Sequence, residues 1–133
     1  DLIILEGWCV GSKPIDPNYL KKNKNDLEKI EDSNLLWRTA YNKALVEYQK
    51  VFKKFSYFVF IKIPNWKFVI DWKYKQELGL RSSNSDNHLK KKLYRFIQFY
   101  EKLSKWMYLT SPSDCNVLIT LDKKQTAKKI TYK

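Results

Sequence analysis

The stretch Asp1-Leu-Ile-Ile-Leu-Glu-Gly-Trp-Cys-Val-Gly-Ser-Lys-Pro14 decides the predicted fold of this sequence. The continuous aliphatic run Leu2–Leu5 is typical of a strand that is buried on both faces inside a parallel sheet. Glu6 and Gly7 end that predicted strand. Because ligands of parallel α/β sheets bind at the carboxyl ends of the strands, Glu6 is placed to act at a site.

Helical and strand-like patterns alternate along the rest of the chain. Apolar residues from Trp37 to Phe55 recur at steps of three and four and predict a helix over about 34–55, capped by Asp32 or Ser33. The other predicted elements are a strand over 57–63, a helix over 66–78 that Asn65 caps and Gly79 ends, a serine-rich turn over 82–85, a helix from Ser85 or Asp86 to about Tyr108 that Pro112 interrupts, a strand over 116–121 and an edge strand at 130–132.

This order of elements predicts an α/β fold in which helical crossovers connect the strands of a parallel sheet. Only about three strands are expected, which is few for such a sheet, so the chain is interpreted as part of a larger one. The polar segment 12–34 contains Pro14, Pro17 and a Lys/Asn/Asp-rich run. It is predicted to be a loop or insertion and the least ordered part of the chain.

Composition limits the class of protein. The chain has 133 residues, of which 44% are hydrophobic, so it is long and apolar enough to bury a core. No apolar run approaches the roughly 18–20 residues that a membrane-spanning helix needs, and no membrane partner is expected. Cys9 and Cys115 are too few for a disulfide scaffold and lack the spacing of a zinc site, which favours reduced thiols and a cytoplasmic location.

The net charge of +12 raises the alternative of a basic α/β module that binds nucleic acid. Only three of the 26 basic residues are arginines, and the lysines are accompanied by many Asn, Ile and Tyr residues, a mixture typical of AT-rich coding sequence. The composition therefore does not favour nucleic acid as a partner. A third alternative is a non-catalytic remnant or partner subunit.

The run ILEGWCVGSKP (4–14) resembles the Walker B segment and following loop of D-glycerate 3-kinase-like P-loop kinases, which are relatives of uridine kinase, phosphoribulokinase and pantothenate kinase. The resemblance covers nearly the whole chain except 16–33. It continues through Asn42-x-x-Leu45-x-x-Tyr48, FSYFVFIKIPN (55–65), VIDWKYKQELGLR (69–81), FIQFYEKL (96–103) and LITLD (118–122).

The resemblance implies an ATP- and Mg²⁺-dependent kinase that phosphorylates a hydroxyl of a small, glycerate-like acceptor. Such kinases bind the phosphates of ATP with a glycine-rich loop. The chain has three glycines and no G-x-x-x-x-G-K-[ST] motif. Residues 1–133 are therefore expected to be the C-terminal part of one P-loop kinase domain, which requires a missing N-terminal half and is inactive alone.

Carried over position by position, the resemblance implies catalytic roles for three residues. Glu6 matches the Walker B carboxylate that holds Mg²⁺, directly or through water. Lys73 stands where the family usually has arginine, and Arg81 matches a lid arginine, so both would neutralise charge on the transferred phosphoryl group. Lys73 could instead simply pair with Glu77, four residues further along the same helix. The residues implied to bind substrate are Gly7, Trp8, Gly11, Asn42 and Tyr48.

Overall fold

A computed structural model of the chain describes residues 1–81 and 87–133, with the backbone alone for 80, 81 and 87. The elements are α1 (Pro17–Lys21), a π-helical turn (Leu27–Glu31), α2 (Leu36–Phe52), β1 (Val59–Lys62), α3 (Lys67–Arg81), α4 (Asn87–Asp114), β2 (Val117–Leu121) and β3 (Ala127–Tyr132). The helices and strands predicted from residue 34 onward are confirmed to within a few residues at most ends. The predicted turn at 82–85 and the predicted caps Ser85 and Asp86 lie outside the described residues.

The three strands form one mixed sheet in the order β1-β2-β3. β1 and β2 are parallel, with Val59 opposite Val117, and the crossover between them contains α3 and α4. β2 and β3 are antiparallel, with Val117 opposite Tyr132. The predicted α/β class and the edge strand at the end of the chain are confirmed. The sheet is not wholly parallel, because only the short turn that begins at Asp122 connects β2 to β3.

The predicted strand Leu2–Leu5 is wrong for this structure. These four residues form no regular element, and Leu2, Ile3 and Ile4 are 85%, 79% and 77% exposed. A β-strand requires hydrogen bonds to a neighbouring strand, and none of the three strands of the sheet pairs with this run. The apolar sequence therefore has strand propensity without a partner among the described residues.

The polar segment 12–34 is not the frayed loop that its composition predicts. It contains α1 and the π-helical turn, and Glu28 is completely buried. Glu28 Oε2 lies 3.5 Å from the Arg38 guanidinium of α2 and 3.2 Å from Lys102 Nζ of α4. The N-cap position of α2 is Leu35 rather than the predicted Asp32 or Ser33, but the Asp32 carboxylate still accepts hydrogen bonds from the first-turn backbone N–H groups of Trp37 and Arg38. Buried ion pairs therefore order this segment.

The long helix α4 covers one face of the sheet. Phe60 of β1, Met107 of α4 and Cys115 form the buried cluster, against which Phe58 and Leu118 pack. On the opposite face Val59, Ile61 and Ile130 stay 46–55% exposed. The sheet is thus apolar on both faces and covered by α4 on one.

Two predicted helix ends are wrong. Gly79 lies inside α3 rather than after it, because a glycine costs a helix only about 1 kcal/mol relative to alanine. Pro112 lies inside α4, which continues to Asp114, since a proline removes one intrahelical hydrogen bond without preventing a further half-turn. No helix in the described ranges is both long enough and apolar enough to cross a membrane.

Candidate functional site

A broad open groove of about 1490 Å³ runs along the free side of β1. Its walls come from residues 2–11, from the chain around β1, and from α3 and α4. It also reaches Ile63, just after β1, and Lys123–Gln125, just after β2. The groove therefore includes the carboxyl ends of both parallel strands, where ligands of α/β sheets bind.

The structure brings five of the eight predicted site residues to this groove: Glu6, Gly7, Trp8, Gly11 and Lys73. Glu6 is exposed, so its carboxylate is open to a ligand or metal ion. Asn42 and Tyr48 do not line the groove. The backbone of Arg81 ends α3, and its side chain lies outside the described residues.

A tight turn over residues 7–11 follows Glu6. Val10 N–H donates to Gly7 O and Ser12 N–H donates to Cys9 O, at 3.5 and 3.2 Å. Cys9 and Gly11 both have left-handed backbone conformations, with φ angles of 67° and 79°. Gly11 is required for a second reason, because a Cβ at this position would lie 2.9 Å from the ring of Phe58. The turn therefore packs tightly against the strand region.

Trp8 and Cys9 attach this turn to α4. The Trp8 indole N–H donates to Ser104 Oγ at 2.9 Å, and its ring stacks on Tyr100 with centroids 4.7 Å apart. Cys9 Sγ lies 3.7 Å from the same Ser104 oxygen. Burial raises the pKa of the Cys9 thiol to about 11, although the hydrogen bond with Ser104 opposes the shift. Cys9 is therefore a packed thiol rather than a nucleophile.

Lys73 projects from α3 toward the groove and is held by its own helix. Its Nζ lies 3.1 Å from Glu77 Oε1 and donates to Gln76 Oε1 at 3.1 Å. The pairing with Glu77 that the spacing of four residues predicts is therefore present. Lys73 also lines the groove, so its side chain lies where an anion in the groove could reach it.

Asn42 and Tyr48 have other contacts. The Asn42 amide accepts from Ile15 N–H at 2.6 Å and donates to Ile15 O at 3.0 Å, which attaches the segment 12–34 to α2. Tyr48 is half exposed and stacks on Phe52, a residue that does line the groove. Their substrate-binding roles stay predictions.

The acidic residue that lines the groove, Glu6, fits a lightly held Mg²⁺ ion. No group of three or more His, Cys, Asp or Glu side chains is arranged to bind a metal within residues 1–81 and 87–133. Mg²⁺ commonly keeps several waters and needs only one or two carboxylates together with substrate phosphates. Glu6 is an exposed carboxylate at the groove and suits that chemistry as a single protein ligand.

Sequence reasoning missed Tyr100 and Ser104. They are 92 and 96 positions from Trp8, and Tyr100 belongs to an apolar helical stripe that indicates only core packing. No local spacing could have indicated a contact across that distance. The spacing of four residues between them does place both on one face of α4, but the partner for that face is visible only in the fold.

Comparison with known proteins finds two distant kinase relatives. The chain is 29% identical over 100 residues to the protein named Uncharacterized kinase mug58 of Schizosaccharomyces pombe, covering 74% of the chain and 35% of that protein. It is 26% identical over 117 residues to chloroplastic D-glycerate 3-kinase of Arabidopsis thaliana, covering 84% of the chain and 23% of that protein. No protein-family profile matches the chain, and no solved structure matches it. The chain thus spans about a third and a quarter of the lengths of these relatives, and its similarity to them supports a kinase-like function.

Proposed function

We propose that the chain is the C-terminal part of an ATP-dependent, P-loop-type kinase that phosphorylates a hydroxyl group of a small acceptor. The single observation that carries the proposal is that Glu6, the turn 7–11 and Lys73 line one groove, which extends along β1 and reaches the carboxyl ends of the parallel strands. A phosphoryl transfer site requires a carboxylate that binds Mg²⁺, a surface that positions the acceptor and a cation that neutralises the charge of the phosphoryl group. Both relatives are named kinases.

The acceptor in this proposal is a glycerate-like hydroxy acid, as the name of the plant relative suggests. Glu6 would hold Mg²⁺ directly or through water. Lys73 would neutralise the charge of the transferred phosphoryl group, together with Arg81. Lysine lacks the bidentate geometry of arginine, so Lys73 would act as a point charge.

Two observations support the view that further chain completes the domain. The relatives extend well beyond the matched region. The open face of the sheet carries the apolar residues Val59, Ile61 and Ile130. Sheets built on parallel strands in α/β proteins normally have helices on both faces. The phosphate-binding loop is the element that we expect in the additional chain. The cytoplasmic location of the protein stays a prediction.

The experiment begins with the coding sequence upstream of Asp1. We expect it to encode a glycine-rich phosphate-binding loop, and we expect the longer product to transfer phosphate from MgATP to D-glycerate. The 133-residue chain alone is expected to be inactive, because positioning the phosphates is most of the catalysis. A longer product without such a loop and without transfer to any small hydroxy acid would contradict the proposal.

A further inference from the structure

We call the contact of Trp8 with Ser104 and Tyr100 of α4 the anchor. Ser104 is only 8% exposed, so water competes weakly for the hydrogen bond that it accepts from the Trp8 indole. The stacking on Tyr100 is nearly parallel, with 15° between the ring planes. Trp8 itself stays 44% exposed, so the part of its ring that is not against α4 is available to the groove.

The helix that carries this anchor is itself fixed. Lys102 Nζ lies 3.2 Å from the buried carboxylate of Glu28, and Gln98 Oε1 accepts from Leu27 N–H at 2.9 Å. Residues 98 and 102 alternate with residues 100 and 104 along α4, so the helix is held by the segment 12–34 and at the same time holds the turn 7–11. A side chain fixed to α4 is therefore fixed relative to the rest of the fold.

We propose that Ser104 is a positioning residue. By holding Trp8 in place, it fixes the part of the groove surface that would contact the acceptor. The inference rests on the proposed function, in which the turn 7–11 faces the acceptor. Glu6 is two residues from Trp8, a span of at most about 7 Å, so the same anchor restricts where the Glu6 carboxylate can lie. Without the hydroxyl group of Ser104, Trp8 keeps its stacking partner and loses the bond that fixes the orientation of its ring.

The test compares Ser104→Ala with Ser104→Thr, which keeps a hydroxyl acceptor. Ser111→Ala is the matched control, since Ser111 is a buried serine on the same helix that does not line the groove. The 133-residue chain is labelled with 5-fluorotryptophan, and the Trp8 signal is the ¹⁹F resonance that Trp8→Phe removes. We expect Ser104→Ala to shift and broaden this resonance, Ser104→Thr to restore it, and Ser111→Ala to leave it unchanged. An unchanged Trp8 resonance in Ser104→Ala would overturn the inference.

The kinetic readout uses the phosphate transfer assay with D-glycerate and the longer product. Ser104→Ala should raise the KM for D-glycerate about five- to ten-fold, the effect of one lost hydrogen bond, and leave the KM for ATP unchanged. A merely structural role would lower the active fraction, and therefore kcat, without changing the acceptor KM. An acceptor KM equal to that of the wild type would overturn the inference. If the wild-type protein transfers no phosphate, the proposed function fails, while the ¹⁹F spectrum still decides whether Ser104 holds Trp8.

Discussion

Replacement of Arg38 should remove more stability than any other single change of a charged residue near the segment 12–34. The guanidinium is completely buried and its Nε donates to Asp32 Oδ2 at 2.7 Å. It also donates to Asn23 Oδ1 at 2.8 Å, and to the carbonyl oxygens of Glu28 and Asp32 at 3.1 and 2.6 Å. One side chain thus satisfies acceptors from three parts of the segment.

Arg38→Met removes the positive charge and leaves the carboxylates of Glu28 and Asp32 with less compensation. Breaking a buried ion pair by removing one partner typically costs about 3–5 kcal/mol. With a urea m-value of about 1–3 kcal/mol/M for a small domain, the unfolding midpoint should fall by about 2 M. Arg38→Lys keeps the positive charge but loses the planar guanidinium that donates to several acceptors at once. It should lower the free energy of unfolding by about 1–3 kcal/mol, because some buried acceptors stay unpaired.

Arg95 provides a matched control. It makes a comparable two-bond contact with the Glu31 carboxylate, including a hydrogen bond of 2.7 Å, but its side chain is 55% exposed. Arg95→Met should therefore destabilise the protein far less than Arg38→Met, because solvent screens the exposed pair. Urea denaturation followed by circular dichroism measures all three variants. Equal losses for Arg38→Met and Arg95→Met would refute the argument that burial makes the Arg38 network stabilising.

Two further predictions concern the turn 7–11. Gly11→Ala should lower the free energy of unfolding by about 1–3 kcal/mol, because Gly11 has a left-handed φ and an added Cβ would contact Phe58. Gly79→Ala should instead raise it by about 0.5–1 kcal/mol, because Gly79 lies within α3 with open space around it. Denaturation curves of the two variants that shift in the same direction would contradict this. Burial raises the pKa of Cys9 from 9.0 to about 11, so the folded state keeps this proton longer than the unfolded state. The free energy of unfolding should therefore fall by about 2–3 kcal/mol between pH 9 and pH 11, and Cys9→Ala should lack this fall. Identical pH profiles of stability for the wild type and Cys9→Ala would refute this prediction.

The sequence predicts those elements whose signals are local. Asn65 caps α3 through a 3.0 Å bond from Lys67 N–H, as its place after Pro64 predicts. The three-and-four spacing along α4 predicts an apolar stripe of Leu89, Leu93, Phe96, Tyr100, Leu103 and Met107. Leu89, Leu93 and Met107 are buried, whereas Phe96 is 42% exposed. Of the eight predicted site residues, those in the turn after Glu6 lie at one groove with Lys73, although the strand that was expected to place them there does not form.

Long-range features were not predictable in the same way. Leu2–Leu5 has the composition of a buried strand, but strand formation depends on a neighbour that no local pattern specifies. The charges of Glu28 and Lys102 read as solvated surface, because nothing in their flanking residues indicates that they meet across 74 positions. Burial of charge depends on partners that the fold brings together, and single-sequence patterns carry no information about such pairs.

The most direct test of the central claim is the effect of Glu6→Gln on phosphate transfer. In the product that joins this chain to the expected phosphate-binding loop, MgATP-dependent phosphorylation of D-glycerate is measured for the wild type and for Glu6→Gln. The account predicts a fall in kcat of about 10²–10³-fold, because the amide cannot replace the carboxylate at Mg²⁺, while the urea midpoint stays that of the wild type since Glu6 is exposed. Equal kcat values for the two proteins would contradict the assignment of this groove as a phosphoryl transfer site.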